Sequence, residues 1–271
     1  KPDRRQRQMC IRDRMNIKDI KNSQFKDKNI LITGCSKGIG RSLVIKLSQL
    51  GANVILLSRN EKKMDELYDF IKEDYGTEPC ILKCDLSYLD EEKAQGIAKI
   101  IVKHYKCLDG IIFNAAILEK MSNIESFDLK TWQKIINVNL TSSFILSKYL
   151  IPLLQNSLSP RIIFTTSGIG KKPKAYWGPY AVSKAGINAL ADIMVDELES
   201  VSNIKIFNFN PKATQTDMRA IAYPAEDPSS LKKPEDLMNY YIWMLSSESS
   251  SHDGNYICLL YTSPSPRDLY R

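Results

Sequence analysis

Asn29-Ile30-Leu31-Ile32-Thr33-Gly34-Cys35-Ser36-Lys37-Gly38-Ile39-Gly40 is an apolar run of strand length that passes straight into a glycine-rich turn, with a segment of helical period behind it to about Gly51. Glycines in such a turn let the backbone come close to a pyrophosphate. A helix starting there points unsatisfied N–H groups and the positive end of its dipole at the same anion. The pattern alone also suits a plain turn. Its Gly-x-x-x-Gly-x-Gly spacing between strand and helix favours phosphate binding, with Gly34, Ser36, Lys37, Gly38, Ile39 and Gly40 as the contacting stretch.

The same alternation continues along the chain. Asn53–Ser58 reads as a strand before a charged helix over Glu61–Tyr75, 79–84 as a strand before a helix through Ile97 and Val102, and Gly110–Phe113 as a fourth strand. A long helix over 131–155, a strand over 161–166, a helix over 180–200 and a strand over 204–209 follow. These strands lack the period of two that marks a half-exposed sheet, so both their faces must be buried. That predicts an α/β fold, one parallel sheet with helices on either side. After Pro211 the pattern breaks into an irregular stretch, expected to be a lid or binding loop, before a short helix over 234–246 and a final strand near Asn255.

A chain of 271 residues suits a single large domain, and 43% hydrophobic with 25% charged residues is the balance of a soluble globular protein. No stretch approaches the roughly 18 apolar residues of a membrane span. The ends read differently. Met9-Cys10-Ile11-Arg12-Asp13 and Cys258-Leu259-Leu260-Tyr261-Thr262 can be encoded by one DNA word on opposite strands, which resembles a sequencing-library adapter. Residues 1–14 and 258–271 are therefore expected to be adapter-derived or disordered tails around a C-terminally truncated domain over 15–257. The first tail holds six basic and two acidic residues and the second two basic and one acidic, so +2 of the formal +7 belongs to the domain. A nucleic-acid arm or transit peptide is the competing reading of the basic N-terminus, but neither nucleic acid nor membrane is expected as a partner. Cys35, Cys80, Cys84 and Cys107 include no Cys-x-x-Cys pair, and the chain has only 2 His. That argues against a disulfide framework or a metal site and for a cytoplasmic setting.

Tyr180-Ala181-Val182-Ser183-Lys184 places a phenol and an ammonium four residues apart on one helix face. The ammonium favours phenolate, drawing the tyrosine from about 10 towards a pKa where it exchanges protons at neutral pH. Alone, the pair also suits a solvated helix face. Joined to the glycine turn, it makes residues 29–246 resemble the short-chain dehydrogenase/reductase family. Trp177-Gly178, Thr216-Asp217-Met218-Arg219 and Glu226-Asp227-Pro228 are similar to its YciK-like group of bacterial oxidoreductases. The resemblance implies a single Rossmann-type doubly wound sheet, an NADP(H)-dependent oxidoreductase acting on a small carbonyl or alcohol, and a homodimer or homotetramer. It also implies roles: Tyr180 as general acid, Lys184 binding the nicotinamide ribose and tuning Tyr180, Ser167 holding the substrate oxygen, Asn139 holding a water in the proton relay. Asp85 with Leu86 would meet the adenine, Asn114 and Ala115 would flank the cofactor, and Pro211, Thr214 and Thr216 would close over the nicotinamide.

Cofactor choice is read at the end of the second predicted strand. NAD-selecting folds place Asp or Glu there, about 20 residues beyond the glycine turn, to hold the ribose 2′-OH. Leu57-Ser58-Arg59-Asn60 has no carboxylate, and Arg59 with Lys37 offers charge-assisted bonds to a 2′-phosphate, although both also suit surface cations. Two residues depart from the family pattern: Ala116 in place of a glycine, and Lys212, expected at ordinary negative φ with a solvated side chain. Trp177 and Tyr176 suit either a pocket wall or packing, Lys171, Lys172 and Lys174 a solvated loop, and Met64, Met194 and Met244 the core. The rival to catalysis is a dinucleotide-sensing or scaffolding homologue, which has no chemical need for all of Ser167, Tyr180, Lys184 and Asn139.

Overall fold

Strands buried on both faces can only stack side by side between helical layers, and the computed structural model, which describes residues 9–10, 25–252 and 254–259, has that architecture. The strands are β1 (Met9–Cys10), β2 (Asn29–Thr33), β3 (Asn53–Ser58), β4 (Cys80–Lys83), β5 (Gly110–Phe113), β6 (Arg161–Thr165), β7 (Lys205–Asn210) and β8 (Tyr256–Cys258). They lie in the order β1-β8-β7-β6-β5-β2-β3-β4, and every neighbouring pair is parallel. The helices are α1 (Gly38–Gln49), α2 (Glu61–Tyr75), α3 (Glu91–His104), α4 (Leu129–Ile136), α5 (Ser142–Leu154), α6 (Gly178–Leu198), α7 (Asp217–Ala222) and α8 (Met238–Leu245). Alternate residues of one strand serve opposite layers. Ile30 and Ile32 pack with α1, α2 and α8, and Leu31 packs with α3, α5 and α6.

From β2 the chain winds outward to β4, then crosses back over β2 to β5 and winds the other way. This reversal opens a crevice at the carboxyl ends of β2 and β5, where open α/β sheets bind ligands. At the amino end of β6, Arg161 is 1% exposed and, among the described residues, donates to neutral acceptors, the carbonyls of Pro160 and Ser246 and the hydroxyls of Ser249 and Ser250. Among the described residues no helix is long and apolar enough to cross a membrane.

The elements depart from the sequence reading in three places. The helix expected over 131–155 starts earlier, at Leu129, because the Asp128 carboxylate accepts from Thr131 N at 2.8 Å, and a π-helical segment, Asn137–Thr141, interrupts it between α4 and α5. The irregular stretch after Pro211 contains α7, capped by Thr216 Oγ1 accepting from Arg219 N at 3.2 Å. Strand β8 runs one residue past the expected domain boundary and pairs with β1, so Cys258 and Met9–Cys10 of the expected tails lie in the sheet. Residues 1–8, 11–14 and 260–271 of those tails are outside the described residues.

Candidate active site

Gly34 leaves β2 at φ +67°, a left-handed conformation without penalty for glycine, and a Cβ there would stand 2.7 Å from Ala115 Cα. Gly40 lies so close beneath the turn that a Cβ would fall 2.2 Å from the Gly34 carbonyl oxygen. No side chain caps α1, and its first turn holds no acidic residue. The positive end of the helix therefore meets the crevice with no anionic side chain of its own. Thr33 Oγ1 accepts from the amides of Asn114 (3.1 Å) and Ala115 (3.0 Å), and Asn114 Nδ2 donates to the carbonyls of Thr33 and Gly34 (3.3 and 3.2 Å). These bonds tie the ends of β2 and β5 into one floor.

At the end of β3, Ser58 is buried, and Arg59 and Asn60 are exposed. Asn60 Oδ1 caps α2 by accepting from Lys63 N at 3.0 Å, and Lys63 shares the cavity rim with Arg59 and Lys37. Lys63 is absent from the sequence reading, although Asn three residues before it is a helix-start signal. Lys37 Nζ pairs with Asp217 Oδ2 at 2.8 Å, linking the glycine turn to the start of α7. Burial works against ionisation of Asp85, but bonds from the Ser87 hydroxyl and amide, with Arg59 and Lys134 nearby, hold its carboxyl below the ordinary value.

Beyond β5, Ser167 follows β6, and Tyr180 and Lys184 stand on successive turns of α6, 7% and 4% exposed. Burial pushes the Tyr180 phenol up to about 12, with a hydrogen bond to Ser167 acting the other way. Burial also pushes the Lys184 ammonium down to about 8. The tyrosine therefore moves opposite to the direction expected from the Tyr-x-x-x-Lys spacing, because desolvation outweighs the hydrogen bond to Ser167. Lys184 Nζ is 5.8 Å from the Tyr180 ring centre and donates to the Thr165 carbonyl at 2.8 Å.

Asn139 is 1% exposed within the π-helical segment. Its Nδ2 donates to the Ile117 carbonyl (3.0 Å) and Ser183 Oγ (3.1 Å), and its Oδ1 accepts from Ile117 N (2.8 Å). The side chain thus clamps the strand-end loop. Lys212 corrects an expectation: its φ is +58°, because its amide bends back to donate to Asn210 Oδ1 at 3.0 Å. Such a conformation costs a non-glycine residue about 1–3 kcal/mol. Thr214 Oγ1 donates to the Pro211 carbonyl at 3.4 Å, and Thr216 Cγ2 comes within 3.4 Å of where a Gly38 Cβ would be, so this segment lies against the glycine turn. Trp177 takes the wall position, and Tyr176 is exposed. Every residue singled out from the sequence for cofactor or catalysis lines one cavity of about 780 Å³, except Gly40 and Asn139, which sit behind its wall.

Comparison with known proteins accords with this geometry. The family model for short chain dehydrogenase matches residues 28–227. The uncharacterized oxidoreductase YciK of Escherichia coli K12 is 36% identical over 234 residues, 86% of this chain and 92% of that protein. A short chain dehydrogenase from Shigella flexneri 2a strain 301, solved in complex with NADP, superposes with TM-score 0.84 at 35% identity, covering 88% of this chain and 99% of its own. One from Escherichia coli CFT073, in complex with NADPH, gives TM-score 0.83 at 35% identity, covering 88% and 98%.

Proposed function

The chain belongs to the short-chain dehydrogenase family, and from that premise we propose that it is an NADP(H)-dependent oxidoreductase interconverting a small-molecule carbonyl and its alcohol through Tyr180, Ser167, Lys184 and Asn139. One observation carries the reading: a single cavity joins the glycine turn and the Lys37, Arg59 and Lys63 rim to Ser167, Tyr180 and Lys184. The residues present fit the cofactor. The uncapped start of α1 and the turn that Gly34 and Gly40 let pack tightly on Ala115 and on itself suit a pyrophosphate, and residues 58–60 bring no carboxylate against a 2′-phosphate. The NADP and NADPH held by two structural neighbours agree with that choice. When bound, the nicotinamide supplies or takes up the hydride.

Tyr180, at about 12, keeps its proton at neutral pH and can give it to a developing alkoxide. Ser167, bonded to the same phenol, orients and polarises the oxygen. Lys184, at about 8, gains and loses a proton near physiological pH, so it is suited to resupply Tyr180. With the Asn139 side chain committed to Ile117 and Ser183, a role in the relay falls to its backbone, in the π-helical segment where the helical ladder is widened. We assign association with a second copy to α5 and α6, which expose Phe144, Val182 and Ile193, and light scattering tests it. The catalytic reading is tested by Tyr180→Phe. NADPH should still bind, and kcat should fall about 100- to 10,000-fold. A variant that keeps most of its kcat would sink the assignment of Tyr180 as the general acid.

A further inference from the structure

The cavity end around Tyr180 is walled by apolar and aromatic side chains. Ile169, Tyr180 and Ala181 form a small buried cluster, with Leu118, Trp177 and Met218 packed against it. Trp177 leans over Tyr180 with ring centres 5.7 Å apart, and Tyr223, just after α7, meets Trp177 at 6.0 Å. The backbone is strained to hold this arrangement. Tyr176 has φ +73° and Gly178 φ +30°, and a Cβ at Gly178 would stand 2.5 Å from Phe127 Cε2. The positive φ of Tyr176, a non-glycine residue beside the indole, persists only where the surroundings over-determine it, which is a mark of functional placement.

The guanidinium at this end is already committed. Arg219 lines the cavity, but its Nε and Nη2 donate to the two carboxylate oxygens of Glu226 at 2.6 Å each, and it lies 3.7 Å over the Tyr223 ring. A guanidinium so paired and stacked is a poor receptor for a substrate carboxylate or phosphate, which would have to break that pair. Lys172 and Lys174 reach the opening but are exposed, where water and salt screen them.

We propose, resting on the oxidoreductase reading above, that the substrate is an uncharged, ring-bearing carbonyl compound whose ring packs on Trp177, with its oxygen at Tyr180 and Ser167. In reduction the carbonyl carbon gains the hydride of NADPH, the oxygen gains the Tyr180 proton, and the alcohol leaves with NADP⁺. The test pairs 2-acetonaphthone with 6-acetyl-2-naphthoate, alike in ring shape and different by one negative charge. With NADPH and the full chain, kcat/KM is expected to be about 10-fold or more higher for the neutral ketone. Trp177→Ala should raise its KM about 10-fold and Trp177→Phe should recover most of that, as a stacking wall requires. Replacing Lys172 and Lys174 together by alanine should leave the neutral ketone's KM unchanged. A preference for the naphthoate, or a wild-type KM in Trp177→Ala, overturns the proposal. If neither ketone turns over, equilibrium dialysis against the NADPH-loaded protein separates the claims. Retention of the neutral ketone that Trp177→Ala abolishes keeps the substrate class and sinks hydride transfer; no preferential retention sinks the substrate class.

Discussion

Replacing Arg59 by alanine should separate the two nicotinamide dinucleotides. Arg59 stands on the rim just beyond buried Ser58, with Lys63 in the first turn of α2 and Lys37 at the glycine turn. The three cations are not equivalent. Lys37 is held by Asp217 at 2.8 Å, so a 2′-phosphate must compete with a carboxylate for it, whereas Arg59 has the Asp85 carboxylate only nearby. A hydrogen bond to a charged group contributes about 1.5–3 kcal/mol, and exposure puts Arg59 at the low end, so Arg59→Ala should weaken NADPH about 10-fold and leave NADH nearly unchanged. Asp217→Asn should act the other way. It releases Lys37 and removes a negative charge, and since an exposed pair is worth about 0.2–1 kcal/mol, NADPH should tighten by no more than about 5-fold. Titration by nicotinamide fluorescence at low and high salt gives both affinities, and the Arg59 effect should shrink as salt screens the phosphate. An equal loss of NADPH and NADH, or a loss indifferent to salt, would show that Arg59 does not read the 2′-phosphate.

Lys184→Met should remove turnover yet stabilise the protein at neutral pH. Burial lowers this ammonium from 10.5 to about 8, so the unfolded chain holds the proton more tightly, and the penalty on folding is complete below pH 8 and fades as pH rises to 10.5. At about 1.36 kcal/mol per pK unit, less the cost of stranding the Thr165 carbonyl, the gain at pH 7 is about 1–2 kcal/mol, and urea melts should find it smaller at pH 10. Gly40→Ala puts a methyl 2.2 Å from the Gly34 carbonyl and should abolish NADPH binding and lower Tm, whereas Gly96→Ala, with nothing within 4 Å, should stabilise α3 by about 0.4–1 kcal/mol. Lys212→Gly relieves a φ of +58° and should raise stability by about 1 kcal/mol. A melting curve unmoved by that change would count against strain there.

The layered fold was legible because strands apolar on both faces and helices of 3.6 period admit few other arrangements, and the Gly34 turn marks where the first strand must end. Tyr180 and Lys184 were singled out only once their four-residue spacing was joined to the glycine turn, since the spacing alone also suits a solvated helix face. What escaped depends on contacts remote in the chain. Lys37 meets Asp217 across 180 positions, and no local pattern foretells that a cation so placed is already engaged. Spacing alone predicted a lowered Tyr180 pKa, since spacing carries the neighbouring charge but not the loss of water. Lys212 turned left-handed because the Asn210 side chain captures its amide, a competition between side chain and backbone that propensity does not rank. The burial of Arg161 also depends on contacts remote in the chain, where β6 and the turn after α8 close around it.

The reversal of strand order between β2 and β5 also bears on how such a protein can be re-engineered. The contacts expected for the adenosine end fall within 34–86, before the chain crosses back, and the walls around the reacting carbonyl fall within 118–223, after it. A junction in the segment that crosses back, either side of α3, would let a cofactor half and a substrate half be exchanged between relatives as separate cassettes. The Lys37–Asp217 pair spans that junction, with one member in each half. A chimera that inherits only one of the two would carry an orphaned charge at the mouth of the cavity, so these two positions need to travel together.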